Sequence, residues 1–206
     1  MSRPRLVPFT SRYVVLSREN VDTDQIIPAR FLTTTTRSGL GTHAFNDWRY
    51  RPDGSPDPDF AVNRAEAIGA RVLVAGRNFG CGSSREHAVW ALLGAGFQAV
   101  VSTEFADIFR GNALGNGLLP IQVTATAIAV LADAARDGTA SVTVDPAAQT
   151  IALPNGDVAT FPIPPFAKHC LIEGIDELEF LLGARDAVEQ FESARLLKHR
   201  VTPVPR

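Results

Sequence analysis

The loop Asn78-Phe79-Gly80-Cys81-Gly82-Ser83-Ser84-Arg85-Glu86-His87 gathers the residues best suited to chemistry. Two hydroxyls, a guanidinium, a carboxylate and an imidazole follow one another directly after Gly82. An apolar run, Val72-Leu73-Val74-Ala75, precedes the loop, and Val89, Leu92 and Leu93 follow it at helical spacing. That order predicts strand, tight loop, helix. A loop of this kind aims backbone N–H groups and a helix N-terminus at one point, which attracts anions. Hydroxyls and a guanidinium placed there suit a carboxylate or a phosphate.

Residue types alone leave three readings of the loop open. Gly80-Cys81-Gly82 begins a dinucleotide-binding fingerprint, and Glu104 lies where a ribose-binding acid is expected. Arg85 stands in place of the third glycine, however, where close helix–strand packing needs a small residue. A serine nucleophile with His87 one turn on is a second reading, but the Gly-x-Ser-x-Gly elbow is absent. In the third, Ser83 or Ser84 only caps the helix. The pair Asp22 and Asp24 could bind a divalent metal, or could satisfy the N–H groups of a turn and a helix start. The two cysteines, Cys81 and Cys170, cannot alone hold an iron–sulfur cluster, which needs three or four thiolates. No metal site is expected in this chain.

The elements that must position the loop read as follows. Tyr13-Val14-Val15-Leu16 is a first strand, and Asn20 to Asp24 a turn. Pro28 marks the start of a short helix leading to Phe31 and Leu32. Residues 33–59 form a long polar stretch without strong periodicity, predicted to be loop, whose aromatics and arginines suit burial against another surface. Asn63 to Gly69 is a connector or short helix. Arg71 to Gly76 is a strand buried on both faces, by its continuous apolar character. Glu86 to Ala95 is a helix ended by Gly94-Ala95-Gly96. Gln98 to Ser102 is a strand. Glu104 to Gly111 is a helix with Phe105, Ile108 and Phe109 on one face, and Gly117 to Ile121 leads into a further strand. This alternation predicts a largely parallel central sheet with right-handed crossovers. Ala125 to Arg136 is a helix. Ser141 to Val144, Thr150 to Leu153 and Val158 to Phe161 alternate at period two around Pro146 and Asn155-Gly156, an antiparallel meander. Three flanking helices follow, at Ala167 to Glu173, Ile175 to Leu182 and Asp186 to Leu197. Residues 1–197 read as one α/β domain, and residues 198–206 as a mobile tail.

Composition narrows the class. A chain of 206 residues with 45% hydrophobic content can bury a substantial core. A net charge of −2 gives no reason to expect nucleic acid or a membrane surface as partner. No apolar run is long enough to span a bilayer, and Met1 to Pro8 carries no signal-peptide core. A cytoplasmic protein without disulfides is expected.

The serine loop, Asn78 to Ala88, resembles the signature of the aconitase swivelling domain, and more narrowly that of the small subunits of 3-isopropylmalate dehydratases. Asn20-Val21-Asp22-Thr23-Asp24-Gln25-Ile26-Ile27-Pro28, His43-Ala44-Phe45-Asn46-Asp47-Trp48-Arg49, Phe105-Ala106-Asp107-Ile108-Phe109, Leu118-Leu119-Pro120 and Lys168-His169-Cys170 resemble stretches of the bacterial small subunits in the same order. The resemblance implies a β/β/α swivelling domain. It also implies a hydro-lyase of leucine biosynthesis, active only with a large subunit that carries a four-iron–four-sulfur cluster. It makes Ser83 the catalytic base. Ser84 and Arg85 become ligands of a small dicarboxylate substrate, with Arg85 as a bidentate clamp. The stretch after Pro28 is implied to read the substrate's side group, with Arg37 and Thr33 to Thr36 as contacts and Arg30 as an alternative. Asp24 is implied to lie at the site's edge and support the loop, and Gly82, Glu86 and His87 to hold it. Small subunits of homoaconitase and of citraconate or dimethylmalate dehydratases share the serine loop and stay open as alternatives. An independent serine enzyme and an anion-binding module stay open too.

Overall fold

The computed structural model describes residues 3–33 and 36–198. Strand β1 (Phe9–Leu16) lies in the middle of a seven-stranded mixed sheet of order β4-β3-β2-β1-β5-β6-β7. On one side it pairs in parallel with β2 (Val72–Ala75), which continues in parallel to β3 (Ala99–Ser102) and β4 (Leu119–Gln122). On the other side it pairs antiparallel with β5 (Ser141–Asp145), followed by β6 (Thr150–Ala152) and β7 (Val158–Thr160). The parallel half and the antiparallel meander are both as the sequence pattern predicts, although β1 starts at Phe9 rather than Tyr13.

Every residue of β2 and β3 is buried, because helices cover both faces of the parallel half. One face, with Leu73, Ala75 and Val100, packs under α1 (Thr23–Ile26), α3 (Glu86–Gly94) and α4 (Asp107–Asn116). The other, with Val72, Val74 and Val101, packs against α5 (Ala125–Ala134) and the inner residues of β5 and β6. Helices α6 (Pro165–Glu173), α7 (Glu177–Gly183) and α8 (Arg185–Lys198) close the described chain. The tail expected at residues 198–206 lies outside the described residues, apart from Lys198, the last residue of α8.

Two expectations are corrected. Residues 33–59 are not a bare loop. They hold a 3-10 turn at Leu40–His43 and the short helix α2 (Asn46–Arg49). Leu40, Ala44 and Phe45 are fully or almost fully buried in the chain's own core. Each large apolar side chain so buried is worth about 1.5–3 kcal/mol, enough to fix a stretch that local periodicity leaves undecided. The seam is tight: a Cβ on Gly41 would sit 2.0 Å from the Gly94 carbonyl carbon at the end of α3. Second, α4 begins at Asp107 and leaves Ile108 55% exposed, whereas Phe105 and Phe109 are buried. Phe105 precedes the helix and bridges to Phe79, so the inner face is set by Phe109 and Ala113 instead.

The parallel strands end on one edge, and their loops meet there. Gly76 N donates to Arg18 O (3.2 Å), Asn20 N to Arg77 O (2.8 Å) and Phe79 N to Glu104 O (3.1 Å). In open α/β sheets this edge is where ligands bind.

Candidate active site

The serine loop is braced by the turn after β1. Gly80 N donates to Val21 O (2.8 Å), and Thr23 N donates to Cys81 O (2.9 Å). The Thr23 hydroxyl, itself buried, donates to Ser83 O (3.0 Å). Asp22 caps α1 by accepting from Asp24 N (2.7 Å), and Gln25 Oε1 accepts from Asp22 N (2.9 Å) in return. This reciprocal cap explains why four residues suffice for a helical turn here. It also answers the question left open by the aspartate pair: Asp22 serves as a helix cap, and Asp24 faces Arg85.

Gly82 is required where it stands. Its φ is +87°, and a Cβ would lie 2.3 Å from Asp22 Oδ2. Backbone and carboxylate therefore share the space a side chain would fill, and Ser83 follows directly.

Arg85 Nη1 donates to Asp24 Oδ1 in a short ion pair. The Arg85 side chain is 22% exposed and that of Asp24 47%. Nε and Nη2 of Arg85 make no bond to the described residues, which leaves one edge of the fork for an incoming carboxylate. Gly82, Ser83 and Ser84 are exposed. Neither serine caps α3: the cap position is Arg85, without a side-chain cap bond, so the capping reading fails. The Ser83 and Ser84 hydroxyls have no hydrogen-bond partner among the described residues. The dinucleotide reading loses its acid as well, because Glu104 pairs with Arg77 (3.3 Å).

The remaining candidates fall into two groups. Glu86 Oε1 accepts from Asn116 Nδ2 (3.0 Å), and His87 packs on Trp90 with ring centroids 4.7 Å apart. Both contacts engage the start of α3. Arg37 joins them, donating to Asn116 Oδ1 (2.9 Å) with its guanidinium 5.2 Å from the Trp90 ring centre. Arg30 points elsewhere, forming an ion pair with Asp47 and donating to Asn46 Oδ1 (2.8 Å). Thr33 is exposed, and Thr34 and Thr35 lie outside the described residues.

Sequence reasoning missed Thr23 and Asn116, and left the aspartate pair undivided between helix cap and metal ligand. The Asp22-x-x-Gln25 spacing is a legible capping-box signal. Asn116 has none, being thirty residues from Glu86 in the chain.

Among the described residues no three of His, Cys, Asp and Glu are grouped to hold a metal ion. Cys81 sits beside the serines and Cys170 in α6, both as free thiols. Burial, then the Asp22 carboxylate, raises the Cys81 thiol above its ordinary range, so it is a poor thiolate. The residues present do not fit an iron–sulfur cluster in this chain.

Residues 10–126 match the family model described as the aconitase C-terminal domain, and that stretch includes the serine loop. The 3-isopropylmalate dehydratase small subunit of Anaeromyxobacter sp. (strain K) is 58% identical over 185 residues, covering 90% of this chain and 95% of that one. The chain belongs to the aconitase C-terminal domain family, among the 3-isopropylmalate dehydratase small subunits. Its likeness to the small subunit of Roseiflexus sp. (strain RS-1) is 56% over 189 residues, covering 90% of this chain and 92% of that one. A crystal structure of 3-isopropylmalate dehydratase from Methanocaldococcus jannaschii matches with a TM-score of 0.65 at 30% identity, covering 90% of this chain and 99% of that one. The family membership agrees with the α/β fold.

Proposed function

We propose that this chain is the small subunit of a cytoplasmic two-chain hydro-lyase that interconverts 2-isopropylmalate and 3-isopropylmalate through isopropylmaleate. The reaction takes a proton from the carbon beside a carboxylate while hydroxide leaves the neighbouring carbon. Water then adds back in the opposite sense. A four-iron–four-sulfur cluster, when bound to the large subunit, supplies the Lewis acid for the departing hydroxyl.

This chain supplies the base and the clamp. Ser83 Oγ, as the alkoxide, takes the proton and becomes a hydroxyl, and it returns the proton when water adds back. A serine is a poor base in water, so the alkoxide needs a dry site with donors and cations close by. In the isolated chain Ser83 is exposed. The face of the large subunit must therefore close over the loop to exclude water. Arg85 holds one substrate carboxylate on its open edge, with Asp24 fixing the other edge. Ser84 hydrogen-bonds the substrate beside it. The observation that carries this reading is the exposed, braced serine pair next to a guanidinium already aimed by Asp24.

Purification of the chain alone and with a matching large subunit tests the proposal. The chain alone should fold, be colourless and show no hydration of isopropylmaleate, and the mixture should turn it over. Turnover by the isolated chain without iron would refute the two-chain reading.

A further inference from the structure

Asn116, the last residue of α4, is 5% exposed and uses its whole side-chain amide. Oδ1 accepts from Trp90 Nε1 (2.8 Å) and Arg37 Nη2 (2.9 Å). Nδ2 donates to Glu86 Oε1 (3.0 Å) and to the Asn112 carbonyl (2.9 Å). An amide offers two lone pairs and two N–H groups, so nothing is left over. Its orientation is dictated by its neighbours: indole and guanidinium only donate, carboxylate and carbonyl only accept. Three segments thus meet on one side chain: the Arg37 stretch, the first two turns of α3, and the end of α4. Glu86 is the first helical residue of α3 and follows Arg85 directly.

We propose that Asn116 is a positioning residue for the hydro-lyase reaction, fixing the start of α3 and hence Arg85, and tying it to the Arg37 segment. It acts through Glu86 and Arg37 and touches no substrate itself. The inference rests on the function proposed above. Its physical basis is that a fully satisfied buried amide has one low-energy arrangement of partners, which specifies geometry more sharply than apolar contact does. Arg37 lies within the stretch after Pro28 that is assigned to substrate choice, so the same amide links that stretch to the carboxylate clamp.

The test exchanges donor for acceptor. Asn116→Asp keeps acceptors toward Trp90 and Arg37 but sets a carboxylate against Glu86. Glu86→Gln alone keeps an acceptor toward Asn116 and serves as the control. The double variant Asn116→Asp/Glu86→Gln restores a donor–acceptor pair with the roles reversed. In both variants carrying Asn116→Asp the bond to the Asn112 carbonyl stays lost, so both should melt below wild type. In the assembled enzyme, KM for isopropylmalate should rise by about tenfold in Asn116→Asp, with a smaller change in kcat. It should return to within about threefold of wild type in the double variant.

A purely structural role would instead make KM follow melting temperature, with no recovery in the double variant, and that result would overturn the proposal. Hydrogen exchange supplies a readout free of activity. The amides of residues 85–89 should exchange faster in Asn116→Asp and recover in the double variant. If wild type with its large subunit fails on isopropylmalate, the functional reading falls, and the exchange arm still decides the coupling. Unchanged exchange at residues 85–89 in Asn116→Asp would sink it.

Discussion

Gly82→Ala tests how the serine loop is held. A Cβ at this position would lie 2.3 Å from Asp22 Oδ2, 2.6 Å from Cγ and 2.7 Å from Oδ1. The carboxylate has to move, and it then leaves Asp24 N, to which it is bonded at 2.7 Å. Losing that cap costs about 1 kcal/mol. Holding an L residue in the left-handed region costs about 1–2 kcal/mol more. The single variant should therefore lose about 2–3 kcal/mol, by adding these two terms. Asp22→Gly costs only a few tenths at a cap position and empties the space. The double variant Asp22→Gly/Gly82→Ala should then carry little beyond the backbone term, and be more stable than Gly82→Ala by roughly 1 kcal/mol. That difference corresponds to about 2–4 °C in melting temperature for a domain of this size. The assay is thermal unfolding of the isolated chain, followed by circular dichroism, for all four forms. A double variant that melts below Gly82→Ala would refute the reasoning, since it would show that Asp22 does not compete with a Cβ at position 82.

Other outcomes follow from the same geometry. Asp24→Ala should cost the fold at most about 1 kcal/mol, because the pair is partly exposed, yet should raise KM for dicarboxylates by freeing Arg85; steady-state kinetics with an unchanged KM would count against the clamp. Cys81 should be alkylated by iodoacetamide more slowly than an ordinary thiol at neutral pH. Its rate should keep climbing where that thiol levels off, because burial and Asp22 raise it; Asp22→Asn should speed the reaction, and reactivity equal to free cysteine would contradict the assigned environment. Arg30→Ala should leave kcat/KM within about twofold, since this guanidinium is committed to Asp47 and Asn46 on the surface. Substitutions at Leu32 or Thr33 should instead change the preference between isopropylmalate and citrate-like acids, by up to one or two orders of magnitude; equal loss of both substrates would make the segment scaffolding.

Much of this was legible in the residues themselves. The continuous apolar runs of β2 and β3 signalled burial on both faces, and the period-two alternation of β5 to β7 signalled the meander. The loop between β2 and α3 shows its chemistry through residue types, and the Arg85–Asp24 pair agrees with the place that the resemblance implies for Asp24. Residues 33–59 were not legible, because their structure comes from Leu40, Ala44 and Phe45 entering the core and not from local periodicity. Ile108 is exposed although it shares helical spacing with Phe105, because Phe105 lies before α4 starts and does not set that helix's buried face. Arg37 and Arg30 could not be told apart in sequence. Their difference lies in partners distant in the chain, Asn116 and Trp90 for one, Asp47 and Asn46 for the other. Asn116 carries no local signal at all, since its role exists only where α3 and α4 meet.

The proposed function rests on Ser83 as the base that this chain delivers to a site completed by the large subunit. The most direct measurement is kcat and KM for isopropylmalate with Ser83→Ala in the reconstituted pair, beside wild type. Losing a general base should lower kcat by at least about a hundredfold while KM changes little. Near-normal kcat in the folded, assembled variant would contradict the claim and leave Ser83 as a loop residue held by Thr23 for structural reasons alone.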